Sequence, residues 1–172
     1  MIKLVLPDAS HKEDYLACIQ EWREIENLDK ISPGKFVSPD TYEELLASNT
    51  GEKINLDKGY TTPSTLFFVY SDNSELIGAI DIRHNLDNTF LKEFGGHIGY
   101  GVAPKYRRNG YATKMLEKGL EEAKKLGIEK VLVCCYDGNI ASQKVIEKNG
   151  GEFERFANLD GKKLRRYWIE NT

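Results

Sequence analysis

One short stretch of this sequence combines residue types that suit the binding of an anion. Arg107 and Arg108 follow an apolar strand that stops at Pro104, and Gly110 and Ala112 open an amphipathic helix. The first N–H groups of a helix have no intrahelical partner, and the helix dipole adds partial positive charge there. Arginine supplies a planar cation that matches phosphate oxygens, while glycine leaves the backbone open to close approach. The spacing predicts a turn that binds a pyrophosphate.

Two common phosphate-binding motifs do not describe this turn. A Walker A loop is longer and ends in a Lys-Ser or Lys-Thr pair that is missing here, and the dinucleotide fingerprint has three glycines soon after the first strand. The simpler interpretation of 107–112 alone is an exposed turn with two solvated arginines. The strand before the turn and the helix after it favour the binding turn.

The elements that position this turn are predicted from apolar periodicity and from helix and turn signals. Asn139 is a good helix N-cap, Asp160-Gly161 is a strong hairpin signal, and 130–135 is apolar enough for a strand buried on both faces. Predicted strands are 2–6, 65–70, 76–83, 95–102, 130–135, 152–159 and 162–170, and predicted helices are 8–27, 41–48, 109–126 and 139–149, with 88–94 undecided. This order predicts a mixed α/β fold in which one right-handed crossover joins two parallel strands, 95–102 and 130–135.

Length, charge and cysteine content exclude several classes of protein. The chain of 172 residues suits one domain, 1–172, with a sizeable core. A net charge of −3 and a pI of 5.7 argue against a nucleic-acid binder. No apolar run is long enough for a membrane span, and 1–6 is too short for a signal peptide. Cys18, Cys134 and Cys135 form neither a disulfide framework nor a zinc spacing, so we expect a metal-free protein of the reducing cytoplasm.

The turn and its flanking elements resemble the GCN5-related N-acetyltransferase (GNAT) family. That family's signature is Arg/Gln-x-x-Gly-x-Gly/Ala after a strand ending in Val-x-Pro, and here Arg107, Gly110 and Ala112 follow Val102-Ala103-Pro104. The resemblance is strong over about 95–153 and weak elsewhere. It implies a GNAT-like acyl-CoA acyltransferase fold, with a mixed, mostly antiparallel sheet, a splayed parallel strand pair and flanking helices. The implied reaction transfers the acetyl group of acetyl-CoA to a primary amine of a small molecule or peptide.

The resemblance also implies how the chain would hold acetyl-CoA. Backbone groups around Val102 would pair with the pantetheine amides, as an added strand pairs with a sheet edge. Asn139 and Ser142 match positions that contact the cofactor in the family, although Asn139 also fits a plain helix cap. The pyrophosphate would lie on the turn formed by Arg107, Arg108, Asn109, Gly110, Tyr111 and Ala112.

Three positions are candidates for the two catalytic proton transfers. Many family members carry a glutamate five residues before the valine of the strand; His97 stands there, and a histidine pKa of about 6.5 suits a general base. The family's tyrosine acid is replaced by Ile146, so that Tyr136 or Cys135 would substitute for it, or the thiolate leaves without an acid. Each of these side chains also fits ordinary packing.

The acceptor amine is the part that the sequence specifies least. Small amines, aminoglycoside-like sugars, peptide N-termini and lysine side chains remain candidates, and 28–60 is long enough for a lid or substrate wall. Polar residues expected on this side are Asp81, Arg83, His84 and Glu93. A homodimer is left open. Two other functions also remain: an acyl-CoA sensor or partner-binding module without turnover, and a nucleotide-phosphate binder unrelated to CoA.

Overall fold

The computed structural model describes residues 1–49 and 62–172, so 50–60 of the predicted lid segment lie outside the described residues. The strands are β1 (Ile2–Val5), β2 (Ser64–Ser71), β3 (Leu76–Arg83), β4 (Ile98–Val102), β5 (Lys130–Tyr136), β6 (Glu152–Leu159) and β7 (Lys162–Glu170). The helices are α1 (Lys12–Arg23), α2 (Gly34–Val37), α3 (Tyr42–Ser48), α4 (Tyr111–Lys125) and α5 (Ile140–Lys148). Single turns of 3₁₀ helix cover Ala9–His11, Leu28–Lys30 and Pro104–Tyr106, and a π-helical turn covers Leu91–Gly95.

The strands form two antiparallel sheets. The first has the order β1-β2-β3-β4, and the second has the order β5-β7-β6. Between β4 and β5, the described residues form one isolated bridge, Gly96 with Val133, and it is of the antiparallel type. The predicted mixed α/β class, with mostly antiparallel strands and flanking helices, is confirmed. The predicted splayed parallel pair is not confirmed as parallel, because this one bridge is antiparallel and the two strands belong to separate sheets.

Each face of the first sheet has its own apolar core. α4 packs on one face, where Met115 and Leu116 are buried with Ile80 and Ile98. Gly119 permits this close packing, since a Cβ there would collide with Cδ1 of Ile80. The other face buries an aromatic cluster of Tyr15, Trp22, Phe36, Tyr42 and Phe68. Complete burial of one such apolar side chain contributes about 1.5–3 kcal/mol, so β3 and β4 are firmly supported on both faces.

Several predicted boundaries shift for local reasons. Asp8 caps the first helical turn, and α1 ends at Arg23 rather than near 27. The short helix α2 is absent from the prediction because its first residue, Gly34, follows a proline and indicates a break. β4 begins at Ile98 rather than at 95, because the π-helical turn and Gly96, with a φ of +68°, precede it.

Other predicted elements are found close to their expected positions. The helices predicted at 109–126 and 139–149 correspond to α4 and α5, and the predicted helix at 41–48 corresponds to α3. The final hairpin turns at Asp160 and Gly161, which have φ values of +50° and +81°. These elements depend on signals within a few residues, which is why sequence alone identifies them.

The π-helical turn Leu91–Gly95, which we call the wedge turn, joins the two sheets. Arg83 of β3 donates from Nη1 to two carbonyl oxygens at the end of the wedge turn. Arg166 of β7 donates from Nη1 to two carbonyl oxygens near the start of the same turn. The four acceptors belong to Lys92, Glu93, Gly95 and Gly96. Cations are favourable at unpaired helical carbonyls. One arginine from each sheet therefore holds the turn at the point where β4 and β5 separate.

Candidate functional site

The predicted anion-binding turn presents a row of backbone donors. We call 107–112 the anion loop; from Arg108 to Ala112 its N–H groups donate to no acceptor in the described part of the chain. Two left-handed residues set this conformation, since φ is +65° at Arg108 and +75° at Gly110. A Cβ at Gly110 would meet only open space. The positive φ is therefore what requires glycine at this position.

The two arginines of the anion loop have different surroundings. Arg107 donates from Nη1 and Nη2 to the two carboxylate oxygens of Glu26, at 2.7 and 2.8 Å, and from Nε to the carbonyl oxygen of Val102, at 2.9 Å. Its guanidinium also lies over the ring of Trp22, 5.9 Å from the centroid. Arg108 is exposed, and its guanidinium has no partner among 1–49 and 62–172. The sequence predicts that both side chains bind a phosphate; within the described residues only the guanidinium of Arg108 is free to do so, because that of Arg107 is bound to Glu26 and Val102.

The edge of β4 that faces β5 carries backbone groups that pair with no strand in the described part of the chain. Arg83 donates its N–H to the carbonyl oxygen of His97 at 2.8 Å, and Ala103 donates its N–H to that of Ile77 at 2.9 Å. These bonds fix the alternation of the antiparallel ladder, in which every second residue directs its N–H and C=O away from the partner strand. The residues of β4 whose polar groups point toward β5 are therefore Ile98, Tyr100 and Val102.

His97 closes one end of the space between β4 and β5, which we call the strand gap. Its backbone N–H donates to the carbonyl oxygen of Leu132 at 2.8 Å, and its ring Nδ1 accepts from the N–H of Leu132 at 2.9 Å. The imidazole takes the place that a backbone carbonyl would have in a continuous sheet. On β5 the next residue with polar groups facing the gap is Cys134, and within the described chain no backbone bond joins it to β4. The gap thus opens from His97 toward the anion loop.

The hydrogen bond from Leu132 also fixes the protonation of His97. A neutral imidazole whose Nδ1 accepts a hydrogen bond carries its own proton on Nε2. Burial, with a smaller contribution from the charge of Arg83, lowers the pKa of His97 to about 4, so the ring is neutral near neutral pH. In this state its Nε2–H is a donor. The general-base role of His97 stays a prediction, and it requires the bond to Leu132 to break.

A tyrosine that the sequence pattern did not single out lies across the strand gap. The hydroxyl oxygen of Tyr100, on β4, lies 2.7 Å from that of Ser142, on α5, and the two share a hydrogen bond. Burial raises the pKa of Tyr100 well above its ordinary range, so the phenol keeps its proton. Strand alternation is the signal that could have found it, because Tyr100 is two residues before Val102 and shares its face.

The acid candidates named from the sequence lie elsewhere. Tyr136, at the end of β5, is 47% exposed, and Nζ of Lys162 lies 5.8 Å from its ring centroid. It projects from the face of β5 opposite to that of Cys135. Burial raises the pKa of the Cys135 thiol to about 11, and a hydrogen bond with Ser142 opposes that shift. The strand therefore separates Tyr136 from the Tyr100–Ser142 pair, and Ile146 is fully buried in the core.

Asn139 begins α5 as predicted. Its side-chain oxygen accepts a hydrogen bond from the N–H of Ser142 at 3.1 Å, which is an N-cap. The residue is exposed, and its side-chain nitrogen has no partner in the part of the chain that the structure describes. A contact between that nitrogen and a ligand is compatible with the cap.

Charged side chains from both sheets lie on the side of the gap away from α4. Asp81 is 3% exposed; its Oδ2 lies 3.2 Å from Nε of Arg83, and its Oδ1 has no partner within the described chain. Cys134 lies near Arg83 and Arg166, and burial raises its thiol pKa to about 12.

The other two polar residues expected on this side already have hydrogen-bond partners. His84 shares a hydrogen bond with Thr65, and the carboxylate of Glu93 accepts one from Arg155.

Two further kinds of site are not seen in the residues that the structure describes. They contain no group of three or more His, Cys, Asp or Glu side chains that could hold a metal ion. No helix among them is long and apolar enough to cross a membrane. The candidate site therefore consists of the anion loop, the strand gap and the charged groups behind it.

Comparison with known families decides what this arrangement is. The sequence profile described as the acetyltransferase (GNAT) family matches residues 19–151, which is most of the chain. The chain belongs to the GNAT family. Acetyl transfer is therefore its reaction class, as the resemblance of the anion loop and its flanking elements implied. No curated protein matches the sequence.

Solved structures of several acetyltransferases share the GNAT fold of this chain. The microcin C7 self-immunity acetyltransferase MccE, in complex with acetyl-CoA and AMP, is 17% identical with a TM-score of 0.65, covering 98% of this chain and 92% of its own. RimL, a ribosomal L7/L12 α-N-protein acetyltransferase with coenzyme A, is 18% identical with a TM-score of 0.65, covering 98% and 93%. YncA of Salmonella typhimurium, with acetyl-CoA, is 13% identical with a TM-score of 0.66, covering 99% and 94%. Identities this low show a common fold alone.

Proposed function

We propose that this GNAT protein transfers the acetyl group of acetyl-CoA to a primary amine of a small molecule or peptide. The observation that carries the proposal is that the strand gap runs directly into the anion loop. The backbone groups of Tyr100 and the N–H of Val102, which are unpaired within the described residues, lead to the row of N–H donors at 108–112. A pantetheine arm needs amide partners along its length, and its pyrophosphate needs an anion site at the end. Structural relatives solved with acetyl-CoA or coenzyme A support the same ligand here.

The cofactor contacts divide between the two ends of the gap. The N–H groups of the anion loop and the guanidinium of Arg108 bind the pyrophosphate. Val102 offers its N–H to the pantetheine arm, because its carbonyl oxygen already accepts Nε of Arg107. Ser142 and Asn139, at the start of α5, contact the cofactor from the wall formed by that helix. The free thiols of all three cysteines agree with a reducing cytoplasm as the compartment.

The reaction forms an amide and breaks a thioester. A neutral amine attacks the carbonyl carbon, the C–S bond breaks, and one proton passes from the amine to solvent or to a base. The sulfur leaves as a thiolate and takes a proton from an acid or from water. His97 is the candidate base and Tyr136 the candidate acid from the sequence. The position of Tyr100 beside Ser142 adds a second candidate acid on the cofactor wall.

A sensor that binds acyl-CoA without turnover is the second candidate function. Two observations favour it: Nδ1 of His97 is occupied by Leu132, and Ile146 places an aliphatic side chain where the family carries a tyrosine. Neither prevents catalysis, because water can accept the amine proton and a thiolate can leave unassisted. Turnover is therefore what distinguishes the two functions.

Two measurements on the purified chain test the proposal. Acetyl-CoA and CoA should raise the melting temperature, whereas ATP at the same concentration should raise it less. A panel of amines should then include an acceptor that releases free thiol from acetyl-CoA. Tight binding with no thiol release from any acceptor would support the sensor, and equal stabilisation by ATP and CoA would refute a CoA site.

A further inference from the structure

The anion loop is anchored to a helix on the far side of β4. Glu26, just beyond the end of α1, binds the guanidinium of Arg107 with both carboxylate oxygens. Its Oε2 also accepts the indole N–H of Trp22 at 2.8 Å, and Trp22 is 1% exposed. Bidentate arginine–carboxylate pairs fix geometry as well as charge. The carboxylate is therefore held from two directions, unlike a mobile surface ion pair.

Arg107 connects Glu26 to the residues that would contact the ligand. Its Nε donates to Val102, the last residue of β4 whose backbone groups face the strand gap. Arg108 follows with its left-handed φ of +65°. A non-glycine residue in that region costs about 1–3 kcal/mol and persists only where its neighbours are fixed. On the other side, the side chain of Asn109 donates to the carbonyl oxygens of Tyr106 and Arg107, at 3.0 and 3.1 Å.

We propose that Glu26 is a positioning residue for the acyl donor: through Arg107 it holds the anion loop in the conformation that presents its N–H groups to the pyrophosphate. Glu26 itself does not contact the ligand. Its bond to Arg107 also neutralises a carboxylate that would otherwise repel a phosphate nearby. The inference rests on the proposed function, since it takes the ligand of the loop to be CoA.

The same helix supplies a matched control. Glu21 of α1 pairs with Lys105, just before the anion loop, at 2.7 Å, but the two side chains are 54% and 51% exposed. Exposed ion pairs of this kind contribute about 0–1 kcal/mol. Glu21→Gln therefore removes a carboxylate from α1 near the loop without touching Arg107.

The test compares an acyl donor that has the pyrophosphate with one that lacks it. Calorimetry with acetyl-CoA should show an affinity about tenfold weaker for Glu26→Gln than for the wild type, as expected when one charged hydrogen bond is lost. In assays with acetylpantetheine, which has the same thioester and no pyrophosphate, kcat/KM should stay unchanged. Glu21→Gln should match the wild type with both donors. Glu26→Asp, which keeps the charge on a shorter side chain, should lie between the wild type and Glu26→Gln.

Each contrary outcome has a distinct meaning. Acetyl-CoA affinity that is unchanged in both Glu26 variants would show that the loop holds its own conformation, and would overturn the inference alone. Equal losses with both donors would show general support of the fold, and would overturn it as well. If Glu26→Gln does not fold, the acetyl-CoA affinity of Glu26→Asp decides: an affinity weaker than that of the wild type supports the inference, and an unchanged affinity overturns it. A wild-type protein that binds no acetyl-CoA would refute the proposed function and the inference together.

Discussion

His97 and Leu132 exchange two hydrogen bonds, one between their backbones and one from the N–H of Leu132 to the imidazole, and these bonds set where the two sheets separate. A backbone carbonyl in place of the imidazole would let pairing continue along both strands. Because a side chain fills that position, pairing stops at a defined residue. Beyond it, the backbone groups of Tyr100 and the N–H of Val102 have no partner in the described residues, whereas the carbonyl oxygen of Val102 accepts Nε of Arg107. One imidazole thus determines where the strand gap begins on β4.

Gly110→Asp should abolish the rise in melting temperature caused by acetyl-CoA. A carboxylate at the N-terminal end of α4 would occupy the anion site and repel the pyrophosphate. Gly127→Asp is the matched control, because Gly127 has a nearly equal φ of +76° and open space around it, but lies beyond the other end of α4. That variant should lose basal stability and keep its response to acetyl-CoA. A full response in Gly110→Asp would remove the anion loop from the site.

Arg108→Ala should weaken acetyl-CoA binding by about 1.5–3 kcal/mol, as for a charged hydrogen bond, and the loss should shrink at high salt. Arg107→Ala should differ in kind, because its guanidinium is bound to Glu26 and Val102. We expect it to lower the melting temperature of the free protein as well as the affinity. Calorimetry and thermal unfolding of both variants check this. Identical effects of the two substitutions on both quantities would contradict the assignment.

His97→Asn and His97→Ala should separate a base from a structural link. The side-chain oxygen of asparagine can accept the N–H of Leu132 but cannot act as a base near neutral pH. If His97 is the base, both variants should lose about 10²–10⁴-fold in kcat with little change in acetyl-CoA affinity. If it only joins the sheets, asparagine should restore most of the kcat and stability that alanine removes. Steady-state kinetics of the two variants decides between the roles.

The stability of the protein should fall in mild acid because of His97. Its pKa is about 4 in the folded protein, below the ordinary value of 6.5 that the unfolded chain retains. Between these values the unfolded chain binds the additional proton, so the free energy of unfolding decreases as the pH falls from 6.5 to 4 and the effect levels off below. Denaturant titrations across this range should show the slope in the wild type and a smaller one in His97→Asn. Equal slopes would mean that other groups cause it.

Tyr100→Phe should reduce kcat more than Tyr136→Phe does. Only Tyr100 brings a hydroxyl to Ser142 on the cofactor wall, whereas Tyr136 projects from the opposite face of β5. If Tyr100 protonates the thiolate, its loss should cost about 10²-fold or more in kcat. If the thiolate leaves unassisted, both variants should retain most of their activity. An inactive Tyr136→Phe beside an active Tyr100→Phe would place the acid on β5.

Local signals account for what the sequence predicts of the site. The anion loop, α4 and α5 follow from residues within one or two turns of each other, such as Gly110 with its positive φ and Asn139 as a cap. The family signature identified the same loop. These features depend on bonds between near neighbours, which a single sequence makes visible.

Contacts between distant residues account for what it does not predict. The sequence does not predict the bond between Arg107 and Glu26, because the two residues are 81 positions apart and nothing in either segment indicates the pairing. The bond from Leu132 to His97 spans 35 residues, and the burial of this histidine among distant segments lowers its pKa to about 4. The division into two sheets is not predicted for the same reason, since local periodicity identifies strands but does not indicate which strands pair.

Cys134 and Cys135 are neighbours on β5 and project to opposite faces, one beside Arg83 and Arg166 and the other beside Ser142. Burial raises the thiol pKa to about 12 in Cys18 and Cys134 and to about 11 in Cys135. The thiolate is the reactive form, and burial keeps all three thiols mostly protonated at mildly alkaline pH. A colorimetric disulfide reagent should therefore react with coenzyme A as it is released, long before it reacts with the enzyme. Turnover of the unaltered chain can be followed continuously, with no cysteine replaced.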